Sequence, residues 1–202
     1  MAPPVILQNV GNNRERKANA EQAQSTMTIR VSRDEDIRSQ IGKTRYFDLV
    51  DHDKVTSFRV PKQLSVNLFK EIVAEELGIP VQFQRFWLWA RRQNGTYRPF
   101  QVLTSSEENQ PVGAKLIKGN GAKLDLFIES HNSADLSFVP LPSKVIGDIL
   151  LFIKLYQPES DELSYVGKLL VKSSSKPAEV VTRLNEMAGY ALDEKIDLYE
   201  IS

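Results

Sequence analysis

The sequence predicts an α+β fold made of two similar units, the second of which is incomplete. Alternating apolar and polar residues, the pattern of half-buried strands, are followed in each unit by one segment with helical spacing. Landmarks of the first unit also recur 111 residues later, which indicates an internal repeat. The matching pairs are Val60 and Val171, Phe69 and Val180, and Gly78 and Gly189.

The first unit is predicted to span residues 26–131. Residues 1–25 are polar, show no apolar period and are predicted to be a disordered tail. Met27, Ile29 and Val31 then alternate with polar neighbours, which predicts the first strand. Residues 46–50 could form another strand-like segment before the turn-prone residues 51–53.

The rest of the first unit is predicted to be a strand, a helix and two further strands. Phe58 and Val60 alternate with polar residues, and Pro61 ends that strand. Ser65 can cap a helix, and Gly78 can end it in the left-handed conformation. The apolar stripe of that helix comprises Leu68, Phe69, Ile72, Val73 and Leu77. Later strands are predicted over residues 84–89 and around residues 124–128.

A linker over residues 132–142, with two prolines and two serines, is predicted to separate this unit from a second one over residues 143–202. Residues 149–156 and the segment from Tyr165 to Val171 predict two strands joined by a turn at "PESDEL". Ser175 and Pro177 open a helix that Gly189 ends. The apolar residues of 196–199 predict the start of another strand. This order of strand, strand, helix and strand is that of a β-grasp, which the pattern favours over another α+β arrangement.

Composition excludes several functional classes. Lys plus Arg and Asp plus Glu each number 26, so no net charge attracts nucleic acid. The chain has no cysteine, which removes disulfides, thiolate zinc sites and a cysteine nucleophile and fits a reducing compartment such as the nucleus or cytoplasm. No apolar stretch approaches the ~20 residues that a membrane helix needs. We expect no membrane association and no cofactor.

Two motifs suggest chemistry but are better explained as ordinary structure. The acidic and histidine triplet at 51–53 has no second histidine near it, so a charged turn is the preferred interpretation over a metal or acid–base site. "GKTRY" at Gly42 resembles the end of a phosphate-binding loop, but the glycine that should precede it is missing. We predict no catalytic residue and no metal ligand.

The segment around residues 85–98 is the candidate partner-binding surface. Alternation along a strand puts Phe86 and Leu88 on one face and Trp87 and Trp89 on the other. If the former pair meets the helix, the tryptophans lie on the outer face, where Trp and Arg are common binding hot spots. The alternative is that they pack against the connection 101–118. The candidate residues are Trp87, Trp89, Arg91, Arg92, Tyr97 and Arg98.

Three segments carry a resemblance to a known family. They are "DEDIRSQIGKTRYFDLVDHDKVTSFRVPKQ", "IPVQFQRFWLWARRQNGTYRP" and "DILLFIKLYQPESDELSYVGKLLVKSSSKPAEVVTRLNEMAGY". The chain resembles the plant relatives of ubiquitin-specific protease 7, the herpesvirus-associated deubiquitinase, in the tandem ubiquitin-like region that follows the catalytic domain. The resemblance runs from about residue 28 to residue 201. It implies that the catalytic domain lies upstream, and that the second ubiquitin-like domain is truncated here before the acidic pocket that captures basic partner motifs.

The resemblance implies a non-catalytic region that recruits proteins or modulates a deubiquitinase. Its expected partners are other proteins, among them a full-length deubiquitinase paralogue or its substrates. A truncated second domain would leave residues 149–156 with an unpaired edge, which a partner strand or a dimer could complete. The alternatives are a remnant of a deubiquitinase gene with no binding task, and a nucleic-acid module that uses the Trp and Arg strand, which the neutral net charge disfavours.

Overall fold

The computed structural model describes residues 25–93, 95–115, 122–131, 138–142, 144–145 and 147–200. The predicted tail over residues 1–25 therefore lies outside the described residues except for Ser25, and so does most of the predicted linker over residues 132–142. The described residues form seven strands and three α-helices. The strands are β1 Thr26–Ser32, β2 Thr56–Pro61, β3 Arg85–Arg91, β4 Tyr97–Val102, β5 Lys123–Glu129, β6 Asp148–Gln157 and β7 Glu162–Lys172. The helices are α1 Asp34–Gln40, α2 Val66–Leu77 and α3 Pro177–Ala188.

The first five strands form one mixed sheet in the order β2-β1-β5-β3-β4. β5 lies at its centre, parallel to β1 and antiparallel to β3. Helix α2 packs across one face, because its residues Val66, Phe69 and Val73 are buried against the apolar side chains of the strands. One helix across a mixed sheet with a parallel central pair is the β-grasp arrangement that the element order predicted.

The ends of helices α2 and α3 confirm the signals read from the sequence. The Ser65 hydroxyl accepts a hydrogen bond from the Leu68 N–H at 3.3 Å, and Gly78 ends α2 with a φ of 69°. Helix α3 begins at a proline and ends at Gly189, whose φ is 77°. Both glycines adopt the left-handed conformation that other residues reach only at a cost. Both helices have 12 residues, and their first residues, 66 and 177, are 111 positions apart.

Two local predictions are wrong, and two elements were not predicted. Residues 46–50 form bends and no strand, because the chain leaves β1 through helix α1 and returns through a long loop. Helix α1 was missed because its residues are mostly polar; its first turn holds Asp34, Glu35 and Asp36, which suit a helix N-terminus. Strand β4 was also missed. The predicted strand at 196–199 is irregular, and the described residues offer it no neighbouring strand.

The second unit consists of the β6–β7 hairpin and helix α3. The two strands pair antiparallel along their whole length, with one irregularity between Ile153 and Lys154. Helix α3 lies against β7, where the methyl group of Met187 approaches Gly167. The hairpin also packs on the face of the first sheet opposite α2, and this contact creates a second hydrophobic core. The protein therefore has one core under α2 and another between the sheet and the hairpin.

Candidate interaction surface

The predicted alternation in β3 is confirmed. Phe86 and Leu88 pack in the core under helix α2, while Trp87 and Trp89 lie on the opposite face of the sheet. The two tryptophans are only 1% and 2% exposed. They are covered by α1, by residues 41–50 and by the hairpin, whereas the sequence alternative named residues 101–118. The side chains that bury them include Ile37, Ile41, Leu49, Val50, Leu150 and Tyr165.

A buried carboxylate fixes the indole of Trp87. Its Nε1–H donates to Glu129 Oε2 at 2.7 Å, and Arg85 Nη1 donates to the same oxygen at 3.3 Å. Glu129 is itself buried, so these donors replace the water that the carboxylate loses. Trp87 is therefore held by packing and by a hydrogen bond inside the molecule.

The other predicted site residues do not form one exposed patch with the tryptophans. Arg91 and Arg92 are exposed, and Arg92 pairs with Glu200 at 3.2 Å. Tyr97 is half-buried beside the second core, and Arg98 Nη2 donates to the Phe47 carbonyl at 2.8 Å. Partner binding by these six residues remains a prediction. In this conformation the chain's own hairpin and loop occupy the tryptophan face.

Polar contacts join β7 of the hairpin to helix α1. The Tyr165 hydroxyl donates to Asp34 Oδ1 at 2.7 Å, and the Lys168 ammonium pairs with the other oxygen of Asp34. Lys168 also donates to the Ser130 carbonyl at 3.2 Å. Burial, with the nearby Asp34 carboxylate, raises the pKa of Tyr165, so its hydroxyl stays protonated as a donor. The hairpin is thus oriented by hydrogen bonds as well as by apolar packing.

Gly42 allows a close backbone approach between the two units. Its φ is 77°, and a Cβ at this position would overlap the carbonyl oxygen of Leu163 in β7. A backbone atom cannot rotate away as a side chain can, so only glycine fits here. Gly42 stood out in the sequence only as part of a possible phosphate-binding motif, but in the structure it is a packing residue.

Two cations fix the loop over residues 46–48. The Lys154 ammonium, from the hairpin, donates to the Tyr46 carbonyl, to that of Phe47 at 3.1 Å and to that of Asp48 at 3.3 Å. Arg98, from the first sheet, also donates to the Phe47 carbonyl. Burial, with Arg98 nearby, lowers the pKa of Lys154 to about 8. The backbone of the loop is fixed, while its aromatic side chains are left outside.

These exposed side chains define an aromatic cleft between the loop and the tip of the hairpin. The cleft has a volume of about 430 Å³ and is lined by Tyr46, Phe47, Tyr156, Asp161 and Leu163. The rings of Tyr46, Phe47 and Tyr156 are 53%, 70% and 54% exposed. The Tyr156 hydroxyl donates to Asp161 Oδ1 at 3.0 Å. This cleft was not predicted, because residues 46–50 were interpreted as a strand-like segment.

Residues 51–53, the triplet of two aspartates and a histidine, form a short turn, as was predicted in preference to a metal or acid–base site. The imidazole of His52 points inward. The ring centroid of His52 lies 4.5 Å from that of Trp89, with the rings nearly perpendicular. His52 Nδ1 is 3.9 Å from Asp125 Oδ1, and neither ring nitrogen has a hydrogen-bond partner. Arg30 holds Asp125 through two bonds of 2.6 and 2.9 Å. Within the described residues, no group of acidic and histidine side chains could hold a metal ion.

Because the His52 imidazole is buried, the free energy of unfolding is expected to depend on pH. Burial lowers its pKa, and Arg30 acts in the same direction, whereas Asp125, Asp51 and Asp48 oppose them. The unfolded chain therefore binds this proton more readily than the folded chain, so stability falls as pH drops below about 6.5. We expect urea midpoints measured from pH 7.5 to 5 to fall less steeply for His52→Phe than for the unchanged chain. Equal slopes would show that this imidazole does not contribute.

The described residues contain no helix long and apolar enough to cross a membrane. The fold and the surface define a mixed α/β region of ubiquitin-like architecture that has no cysteine. Residues 84–201 match the family model described as the ICP0-binding domain of ubiquitin-specific protease 7. The chain belongs to this family, which confirms the resemblance seen in its sequence.

Curated relatives support the same assignment. The chain is 57% identical over 182 residues to ubiquitin C-terminal hydrolase 12 of Arabidopsis thaliana and 56% identical over 182 residues to hydrolase 13 of the same plant. It is 28% identical over 162 residues to ubiquitin carboxyl-terminal hydrolase 5 of Schizosaccharomyces pombe. These matches cover 89%, 89% and 76% of the chain but only 16%, 16% and 14% of the relatives. The chain thus corresponds to a small part of each relative.

Among solved structures, the C-terminal ubiquitin-like domain of mouse tubulin-specific chaperone e is similar at a TM-score of 0.30 and 16% identity. The match covers 54% of this chain and 90% of that one.

Proposed function

We propose that this chain is a non-catalytic protein-binding region that recruits partners to a deubiquitinase or modulates its activity in the nucleus or cytoplasm. The observation that carries the proposal is the aromatic cleft. The chain buries both of its tryptophans, yet leaves three aromatic rings exposed around one cleft on a backbone fixed by Lys154 and Arg98. Exposed aromatic side chains on a rigid support are typical of binding hot spots.

The comparisons support a binding role. The matching family model is described as a binding domain for another protein, ICP0. The relatives are named hydrolases. The chain matches only 16% of hydrolase 12 and itself contains no cysteine. Any hydrolytic activity would belong to other parts of such a protein.

We propose further that the two units are tandem β-grasp domains and that the second is truncated. The support is the common length of α2 and α3, their common glycine ends and their 111-residue offset. In the described residues, β6 pairs only with β7, whereas the corresponding strand β1 also pairs with β5. This edge offers a second mode of protein binding, the addition of a strand from a partner or from another copy. Sedimentation at increasing concentration would reveal a dimer.

The test is binding and modulation in trans. We expect residues 1–202 to bind the purified catalytic domain of a plant deubiquitinase of this family, or a substrate of it, with micromolar affinity. We also expect addition of the chain to change kcat/KM on a fluorogenic ubiquitin substrate. The double variant Tyr46→Ala and Phe47→Ala should weaken binding about tenfold or more, since two exposed aromatic anchors are lost.

The matched control is Phe100→Ala, because Phe100 is an exposed aromatic ring of β4, 73% exposed, that does not line the cleft. This variant should bind as the unchanged chain does. If the chain neither binds these proteins nor changes kcat/KM, the remnant alternative is favoured. Binding to oligonucleotides that weakens steeply with salt would instead favour the nucleic-acid alternative.

A further inference from the structure

A second cavity lies between helix α2, the start of β3 and residues 140–141, and we call it the Gln84 cavity. Its volume of about 270 Å³ is close to the lower limit of small-ligand pockets, about 300 Å³. Its walls are partly apolar, with side chains that could pack on an aliphatic stem: Val66, Phe86, Leu103 and Leu141. Its polar side chains therefore decide which chemical group it can hold.

The Gln84 side chain brings an unpaired acceptor to this cavity. Gln84 is 6% exposed, and its Nε2 donates to the Lys70 carbonyl at 3.0 Å and to the Ile79 carbonyl at 2.7 Å. An amide nitrogen has two N–H groups, so both are used and the side chain cannot be turned over. Its Oε1 is buried and has no hydrogen-bond partner among the described residues. Since buried acceptors are normally paired, the cavity calls for a donor.

The charges at the cavity favour a neutral donor. Lys70, Arg85 and Glu108 are the charged side chains among the described residues that line it. Lys70 Nζ donates to Glu108 Oε1 at 2.9 Å, and Arg85 donates to Glu129 and to the Pro142 carbonyl. Two cations against one carboxylate disfavour a cationic donor. An anion is disfavoured too, because it has no proton to give to the glutamine oxygen.

We propose that the Gln84 cavity binds a primary carboxamide, either of an asparagine or glutamine side chain of a partner or of a small free amide. The NH₂ of the carboxamide donates to Gln84 Oε1, and its carbonyl oxygen accepts from the side of Lys70 and Arg85. This goes beyond the proposed function, because among the described residues none lines both this cavity and the aromatic cleft.

The test uses residues 1–202 labelled with ¹⁵N and four small probes of similar size. Propionamide should shift the amide resonances of residues 70, 84–86 and 103–105, with an affinity of about 10 mM. Butanone has a methyl group in place of the NH₂ and should bind at least about fivefold more weakly, because the glutamine oxygen then stays unpaired. Propionate has no donor and should be weaker by a similar factor. 1-Propanol donates but lacks the carbonyl, so it should also bind less well than propionamide.

A capped Gly-Gln-Gly peptide distinguishes the two sources of the carboxamide. Tighter binding than propionamide assigns the group to a side chain of a protein, and weaker binding assigns it to a small free amide. Both results support the chemistry of the site.

Two serine variants place the ligand in the cavity. Ser105 and Ser106 are exposed neighbours in one short turn, but only Ser105 lines the cavity. Ser105→Phe adds a ring at the cavity and should weaken propionamide binding at least about tenfold. Ser106→Phe is the matched control and should bind propionamide as the unchanged chain does. Equal urea midpoints would show that both variants are folded.

Gln84→Met tests the acceptor itself. Methionine keeps the length of the side chain but removes the oxygen, so propionamide and butanone should bind this variant about equally. The change also removes the bonds to the Lys70 and Ile79 carbonyls, so its urea midpoint should fall. If this variant does not fold, the probe series and the serine pair still decide.

Four results would overturn the inference. They are equal affinity of the unchanged chain for propionamide and butanone, binding of 1-propanol as tight as that of propionamide, shifts confined to residues outside the cavity, and no propionamide binding at about 100 mM. The last result would show that water alone satisfies the Gln84 oxygen. None of them changes the expected loss of the protein partner in the Tyr46 and Phe47 double variant, so the proposed function is tested separately.

Discussion

The chain with both Trp87→Ala and Trp89→Ala is expected to be largely unfolded under conditions where the unchanged chain is folded. Each tryptophan is buried in the second core, and removing a buried aromatic side chain costs about 3–5 kcal/mol. Two such losses rival the whole stability of a typical domain, about 5–15 kcal/mol. Far-UV circular dichroism and urea unfolding should show the loss of a cooperative transition.

The control for this pair is again Phe100→Ala, which removes an exposed ring and should change stability by no more than about 0.5 kcal/mol. Trp87→Phe separates packing from hydrogen bonding. It keeps an aromatic ring but leaves the Glu129 carboxylate without its indole donor, at an expected cost of about 1–3 kcal/mol. A stable double alanine variant that had lost only partner binding would instead restore the prediction of an exposed tryptophan surface.

Gly42→Ala is expected to separate the hairpin from the first sheet and to cost about 2–4 kcal/mol in stability. The left-handed backbone accounts for about 1–2 kcal/mol of this cost. The remainder arises because the new Cβ overlaps the Leu163 carbonyl, so the loop or β7 must move. Urea unfolding measures the loss, and hydrogen exchange should show weaker protection in β7.

Gly78→Ala is the matched control, because Gly78 has a similar φ of 69° with open space where a Cβ would lie. It should cost only the backbone contribution, about 1–2 kcal/mol, and leave the exchange of β7 unchanged. If both alanine variants lose the same stability and behave alike in the hairpin, Gly42 is not a contact between the units.

These two results bear on binding because the aromatic cleft lies at the same junction. Tyr46 and Phe47 belong to the loop of the first unit, whereas Tyr156 and Asp161 belong to the hairpin. Movement of one unit against the other would change the width of the cleft. Gly42→Ala should therefore weaken partner binding as well as stability, even though Gly42 does not line the cleft.

Local signals predicted much of the secondary structure. The Ser65 cap, the Gly78 and Gly189 ends and the alternation around Phe86 depend on a few neighbouring residues, so they can be read without tertiary context. Helix α1 could not be recognised by its apolar period, because it is short and polar and only Ile37 and Gln40 are buried. Its acidic first turn was the one available signal.

The sequence alone determined the β-grasp order of the first unit, the 111-residue repeat, the family and the absence of a cysteine nucleophile. Each of these follows from residue identity and spacing along the chain. Only the tertiary structure decided that Trp87 and Trp89 are covered and that Tyr46, Phe47 and Tyr156 are exposed around one cleft. Strand alternation tells which residues share a face of a sheet, but what covers that face depends on contacts between residues more than 120 positions apart, such as Asp34 with Tyr165 and Gly42 with Leu163.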